Sequence, residues 1–223
     1  MTFSEPILAP WLLIACGLIS LTVLGLALVQ RPWQPLLADH GLQHRWLAAS
    51  VAVVLLWQLR AQSVDWLALQ LMLTALLTLV FKAPLALVTN LLANLSLVAL
   101  GKAGWPLLGV NVLITGLVPV LVMVSIWRIV DRYLPDNLMI FLFLCGFFGA
   151  ALATLGTGLA GLGLVMLGAT DPDAVHLAKE YALFLPLLMP SEAFLTGMLL
   201  SVLMVYHPDW VATFNDHRYI DTK

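Results

Sequence analysis

Long apolar runs separated by short polar breaks dominate the chain. The runs cover 7–29, 44–60, 64–81, 85–100, 107–130, 138–169 and 178–206. A helix that crosses a bilayer needs about 20 apolar residues, with a range of roughly 17–25. Each run is therefore read as a span. The breaks carry helix-stopping chemistry. Pro32 and Pro35 close the first run in QRPWQP, and Lys82 and Pro84 make a tight turn in FKAP. GKAGWP and DRYLPDN bracket the fifth run, and TDPDAVH offers Asp173 as a helix cap. The sixth run exceeds what a bilayer requires and must tilt or bend. The last is interrupted by Pro186 and Pro190.

Composition makes lipid the solvent. The 223 residues are 62% hydrophobic and 10% charged, against about 45–50% and about 25% in soluble domains. The expected fold is all-α: one integral membrane domain over 1–223, a polytopic membrane helix bundle of about seven transmembrane helices. With seven passes the termini fall on opposite sides. Arg31, Arg45, Lys82, Arg128, Arg132, Arg218 and Lys223 then share one side, and Arg60, Lys102 and Lys179 the other. The positive-inside rule makes the first side cytoplasmic, with the N-terminus outside. The first run lacks a preceding basic residue and a small-residue cleavage site, so it reads as a retained span. A net charge of −2 gives no basic footprint for nucleic acid.

Several residues carry candidate chemistry. Glu192 stands alone in PLLMPSEAFLTGMLLSVLMVY, two residues after Pro190. A carboxylate at mid-bilayer costs about 2.5–3.5 kcal/mol on insertion scales and is a functional hypothesis by default. The alternative is structural, a protonated or hydrogen-bonded group satisfying the broken turn, with Ser191 and Thr196 assisting. His176 and Glu180 are four apart and share one face if helical. They fit either a divalent-cation pair or the outer interface. His40 and His44 in DHGLQHRW form a second such pair, weakened by Gly41. Asn111, Asn90 and Asn94 are amides in apolar helices, where they either bond between helices or line a polar cavity.

Cys16 and Cys145 sit in apolar runs without metal spacing and read as core residues, and Met123, Met139, Met189 and Met198 read as packing. Small residues recur every four positions in the sixth run (Gly146, Ala150, Thr154, Gly158 and Gly149, Ala153, Thr157, Gly161), a pattern for close helix packing or for docking a partner subunit. There is no Gly-x-Ser-x-Gly, His-Glu-x-x-His or P-loop, so no enzyme is expected and any ATP must be bound by another subunit.

GKAGWPLLGVNVLITGLVPVLV resembles the Gly-rich turn and LGxN helix of the CbiM/NikM-type permeases. These are the substrate-binding subunits of energy-coupling-factor transporters for cobalt and nickel. PSEAFLTGMLLSVLMVYHPDWV resembles that family's closing helix, and DHGLQHRWLAASVAVVLLWQLR, CGFFGAAL and WVATFNDHRYI look like a divergent branch of it. The resemblance implies metal-ion uptake, no resident cofactor, a divalent transition-metal ion as substrate, and a bacterial inner membrane. It also implies a transmembrane coupling protein and cytoplasmic ATPase subunits as partners. Family members begin Met-His and use that histidine, the free amine and a histidine in an early span to hold the metal. Here Thr2 and Gln70 stand at or near those places, while Asn111 and Glu192 carry over. The inherited square-planar site is thus not available, and this branch either takes a different ligand or uses its bundle otherwise. A non-transporting structural or accessory subunit is the alternative.

Overall fold

The computed structural model describes residues 2–64 and 67–214; the side chains of 62–64, 172, 177 and 179–181 fall outside the description. Eight helices follow in order: α1 (Pro10–Val29), α2 (Trp33–Ala38), α3 (His40–Gln58), α4 (Thr74–Ala99), α5 (Trp105–Tyr133), α6 (Leu138–Gly168), α7 (Pro172–Ala182) and α8 (Leu185–Tyr206). Among the described residues five of them, α1, α4, α5, α6 and α8, are long and apolar enough to cross a membrane. Leucines on their outer faces stay exposed, for example Leu18, Leu21 and Leu187. That is the surface a lipid solvent covers.

Two runs depart from the expected spans. The run 64–81 is not one helix. Three short strands, β1 (Thr2–Phe3), β2 (Ala61–Val64) and β3 (Leu67–Leu69), form an antiparallel sheet in the order β1-β3-β2. Thr2 pairs with Ala68 and Phe3 with Leu67. Helix begins only at Thr74. An apolar run gives no periodicity that separates strand from helix, and the pairing that selects strand lies at the far N-terminus. The run 178–206 is also divided: α7 ends at Ala182 and α8 starts at Leu185, with Pro186 in its first turn. Pro190 lies within the first two turns of α8 without ending it.

α4 reverses direction. Lys82 takes φ 66° and ψ 167°, which no helix accommodates, and Pro84 follows. Thr74 and Asn90 consequently lie side by side, with Asn90 Nδ2 at 3.4 Å from Thr74 Oγ1. Residues 74–81 form a half-helix whose side chains are all buried, and the rest of α4 runs back beside it. Such irregular backbone is tolerated at membrane depth where protein surrounds it. The tip at Lys82 meets Arg31 and Arg128 around one cavity. At the opposite end of α1, Arg60 donates to Ser4 Oγ at 3.5 Å and to the Lys102 carbonyl at 2.6 Å.

The helices approach closely where glycine permits it. A Cβ on Gly109 of α5 would stand 2.5 Å from Gly17 Cα of α1, so the two backbones touch there. Ser20 Oγ uses that proximity to donate to the Gly109 carbonyl at 2.6 Å. The small-residue rows of α6 serve packing within the chain: Gly158 faces Leu185, Gly146 faces Leu200 and Gly197, and Gly149 faces Met123. Cys16 and Cys145 are free and buried, as expected of core residues. The buried interior forms two apolar clusters. One surrounds the half-helix and α3, and the other gathers Phe3, Leu8, Leu67, Leu107 and Val165 around the N-terminal strand.

Candidate functional site

The site forms where three irregular segments meet: the N-terminal strand, the stretch 70–73 before the half-helix, and the start of α8. A helix leaves its first N–H groups without intrahelical partners. Here Glu192, only 4% exposed, supplies the acceptor. Its Oε1 accepts from the Met72 N–H and its Oε2 from the Leu73 N–H at 3.3 Å. A carboxylate on α8 thus caps the half-helix from 120 residues away, at the end where the helix dipole favours negative charge. Leu73 is held at φ 53°, a left-handed conformation that costs a non-glycine residue about 1–3 kcal/mol. Capping geometry is what over-determines it.

Beside Glu192 opens a cavity of about 220 Å³ whose lining includes Gln70, Met72, Thr154, Thr157, Leu188 and Ser191. Two polar atoms here are buried without a hydrogen bond: Gln70 Nε2 and Thr157 Oγ1. Thr2 Oγ1 donates to Gln70 Oε1 at 3.3 Å. Turning the amide over keeps that pair, with Nε2 donating to the hydroxyl, and presents Oε1 to the cavity. Thr2 and Gln70 are the two positions where the resemblance implied histidines, and they meet as neighbours. The donors that face the cavity are therefore carboxylate, amide and hydroxyl. Oxygen donors suit hard and borderline divalent ions, whereas imidazole and thiolate suit softer ones.

Asn111 lies elsewhere and has another task. Its Oδ1 accepts from the Phe3 N–H at 2.8 Å, and its Nδ2 donates to the Phe3 carbonyl at 2.9 Å. The amide copies the pairing of a neighbouring strand, so β1 is held between β3 and α5. Thr2 and Phe3 are fully buried as a result. Asn90 and Asn94 form an inter-helix network rather than a cavity wall. α5 has a π-helical turn at Leu113–Leu117, and the Thr115 carbonyl accepts from Asn90 Nδ2 at 2.9 Å and from Thr74 Oγ1 at 2.9 Å. Asn94 Nδ2 donates to Asn90 Oδ1 at 3.0 Å. A Cβ at Gly116 would sit 2.6 Å from Asn90 Oδ1, so a larger residue there would displace the Asn90 amide from this network.

Of the remaining candidates, those described are not brought to this cavity. His40 and His44 are exposed at the start of α3, and His44 Nδ1 binds the His40 carbonyl at 2.6 Å rather than sharing a site with its ring. His176 is exposed on α7, and the Glu180 side chain lies outside the described residues. Among the described residues no three His, Cys, Asp or Glu side chains converge for a metal ion. Ser191 Oγ donates to the Leu188 carbonyl at 2.7 Å, satisfying the Pro-disturbed turn, while Thr196 Oγ1 has no partner. Sequence reasoning missed Met72, Leu73 and Thr157. The first two act through backbone, which leaves no trace in residue type, and Thr157 was hidden in a packing row.

The sequence model of the CbiM family, the cobalt uptake substrate-specific transmembrane region, matches residues 3–210. The chain belongs to that family. The CbiM match runs from β1 to the end of α8 and beyond, so it takes in every residue of the cavity. A crystal structure of a truncated transition metal transporter is similar at a TM-score of 0.72 and 20% identity, covering 93% of this chain and 100% of that chain. At that identity the likeness establishes the fold alone. Among curated proteins no sequence matches.

Proposed function

We propose that this CbiM-family chain is the substrate-binding membrane subunit of a metal-uptake transporter, and that the cavity beside Glu192 receives the ion. The observation that carries the reading is the pair of buried, unpartnered polar atoms, Gln70 Nε2 and Thr157 Oγ1, on residues that line the same cavity as a buried carboxylate. Buried polar groups are mostly hydrogen-bonded, so two unpartnered ones on the lining of one cavity favour a ligand or water there. The divalent cation is substrate, held by oxygens of Glu192, Gln70 and Thr157. Thr2 sets the Gln70 amide, and Asn111 sets Thr2 by clamping the strand. His176 with Glu180, and His40 with His44, are assigned no part.

The same reading gives seven passes, with the N-terminus outside and the C-terminus in the cytoplasm of a bacterial inner membrane. The third pass is made of strand and half-helix instead of a full helix. Its support is the grouping of Arg31, Lys82 and Arg128 at one end and of Arg60 with Lys102 at the other, a charge asymmetry of the positive-inside kind. ATP would act through a transmembrane coupling protein and cytoplasmic ATPase subunits.

A second reading is favoured by one observation: both Glu192 oxygens are already engaged by backbone, as a purely structural cap would be. Cobalt, nickel and manganese uptake by cells carrying Gln70→Ala or Thr157→Val decides between them. Thr157→Val removes no hydrogen bond, and Gln70→Ala removes the single one to Thr2. Loss of uptake with unchanged membrane content supports the cavity as the site. Full uptake of all three ions in both variants supports the accessory role.

A further inference from the structure

We propose that the cavity at the Lys82 tip binds the phosphate headgroup of an anionic phospholipid. It measures about 440 Å³, within the range of roughly 300–1,000 Å³ that ligand sites occupy. Three cations from three separate segments line it: Arg31 after α1, Lys82 at the reversal of α4, and Arg128 in α5. Among the described residues none of the three pairs with a carboxylate; the ion pair present is Arg45 with Asp39. Like charges gathered without a counter-ion repel one another, and an anion between them removes that repulsion.

The backbone adds an independent observation. Among the described residues three non-glycine residues have positive φ: Leu73, Arg31 and Lys82. Leu73 belongs to the carboxylate cap. The other two, at φ 52° and 66°, are both cations of this one cavity. Strained backbone of this kind persists where the surroundings require it and clusters at ligand clamps.

The shape favours a lipid over a free anion. Between the charges the walls are apolar, formed by Phe81, Trp127 and the buried Met123. A phosphodiester carrying a glycerol and acyl body presents charge and apolar surface together. The short α2 lines the cavity through Gln34 and Pro35, and its Trp33 and Leu37 are exposed, which suits headgroup depth, where tryptophan anchors gather. Basic pockets between spans on the cytoplasmic side take such headgroups. The same charges oppose passage of a divalent cation, so the cavity is separate from the ion's chamber.

The test uses the full chain in detergent, with native mass spectrometry of added phosphatidylglycerol, phosphatidylcholine and soluble glycerol phosphate. Retention of phosphatidylglycerol over phosphatidylcholine is expected. Lys82→Gln combined with Arg128→Gln weakens it by about tenfold or more, from the contribution of each basic side chain near a charged lipid surface. Arg132→Gln, an exposed neighbour outside the cavity, leaves it unchanged. Glycerol phosphate that competes at equal concentration keeps the phosphate chemistry and assigns the site to a soluble ester. Equal retention of both lipids, or an unchanged double variant, overturns the proposal. So does a double variant that binds phosphatidylglycerol normally but no longer co-purifies with ATPase subunits, since the cations would then serve a protein partner.

Discussion

Replacing Glu192 tests the link between the carboxylate and the half-helix. Its two oxygens accept from the Met72 and Leu73 N–H groups, and the side chain is 4% exposed. Glutamine keeps one carbonyl acceptor and puts an NH₂ where the second oxygen was. One backbone N–H then loses its acceptor and faces a donor. A buried group left unsatisfied costs about 1–3 kcal/mol, and bonds to charged acceptors contribute about 1.5–3 kcal/mol. Glu192→Gln should therefore destabilise by about 2–3 kcal/mol. Glu192→Ala removes both acceptors and should cost about 3–5 kcal/mol, at the level of the larger core truncations. The local readout is hydrogen exchange in detergent. The peptide containing Met72 and Leu73 should lose protection in both variants, while peptides from α5 and α6 keep theirs. Unfolding in denaturant gives the global figure. Wild-type protection at Met72 and Leu73 in Glu192→Ala, or a stability loss under about 0.5 kcal/mol, would refute the capping argument.

The other predictions concern the supports of the site. Asn111→Leu removes both hydrogen bonds that its amide makes to Phe3, costs about 2–4 kcal/mol by the same accounting, and should speed hydrogen exchange in the peptide containing Phe3. Gly109→Ala forces a methyl against Gly17 Cα at 2.5 Å; overpacking costs about 1–3 kcal/mol, read as a lower melting temperature in detergent. Cysteine placed at Lys82 should react with an impermeant thiol reagent from the cytoplasmic face alone, and cysteine at Lys102 from the outer face alone, because the proposed topology separates them. Removing both imidazoles with His40→Ala and His44→Ala should leave ion uptake unchanged, since His44 serves the His40 backbone.

What the sequence made legible was governed by local chemistry. The ends of α1, α5 and α6 lie within about three residues of the apolar runs that announced them, because proline, glycine and charge punctuate those runs locally. The lone carboxylate and the amide of Asn111 stood out because polar groups in lipid are expensive. The roles of both were hidden. Glu192 acts on backbone 120 residues earlier, and Asn111 on a two-residue strand 108 residues earlier. Nothing near either residue encodes its partner. The run 64–81 failed for the same reason: its strand half exists by pairing with Thr2 and Phe3, and a strand that short has no pattern of its own. Where the resemblance implies histidines stand Thr2 and Gln70, 68 residues apart, and their contact at 3.3 Å is visible only in the fold.

The half-helix itself explains why α8 and its tail belong to the site. Eight residues are too few for a helix to persist alone, since isolated helices under about 12–15 residues are marginal. Both ends of this one are closed by the same part of the chain. Glu192, near the start of α8, binds the N–H groups that lead into Thr74. The segment after α8 closes the other end: Ala212 N–H donates to the Val80 carbonyl at 3.1 Å, and Thr213 donates to Leu79 through its N–H at 3.2 Å and its hydroxyl at 2.7 Å. Trp127 of α5 fixes that segment in turn, donating to the Thr213 carbonyl at 3.1 Å. The half-helix therefore spans from the oxygen-lined cavity to the cationic one, and α8 with its tail clasps it at both. A displacement of α8 relative to α5 would strain both clasps together, because the tail is anchored to α5 while Glu192 moves with α8. The cavity beside Glu192 and the Lys82 end are thus joined by one short element. That element belongs to the run 64–81, whose apolar sequence reads as an ordinary span.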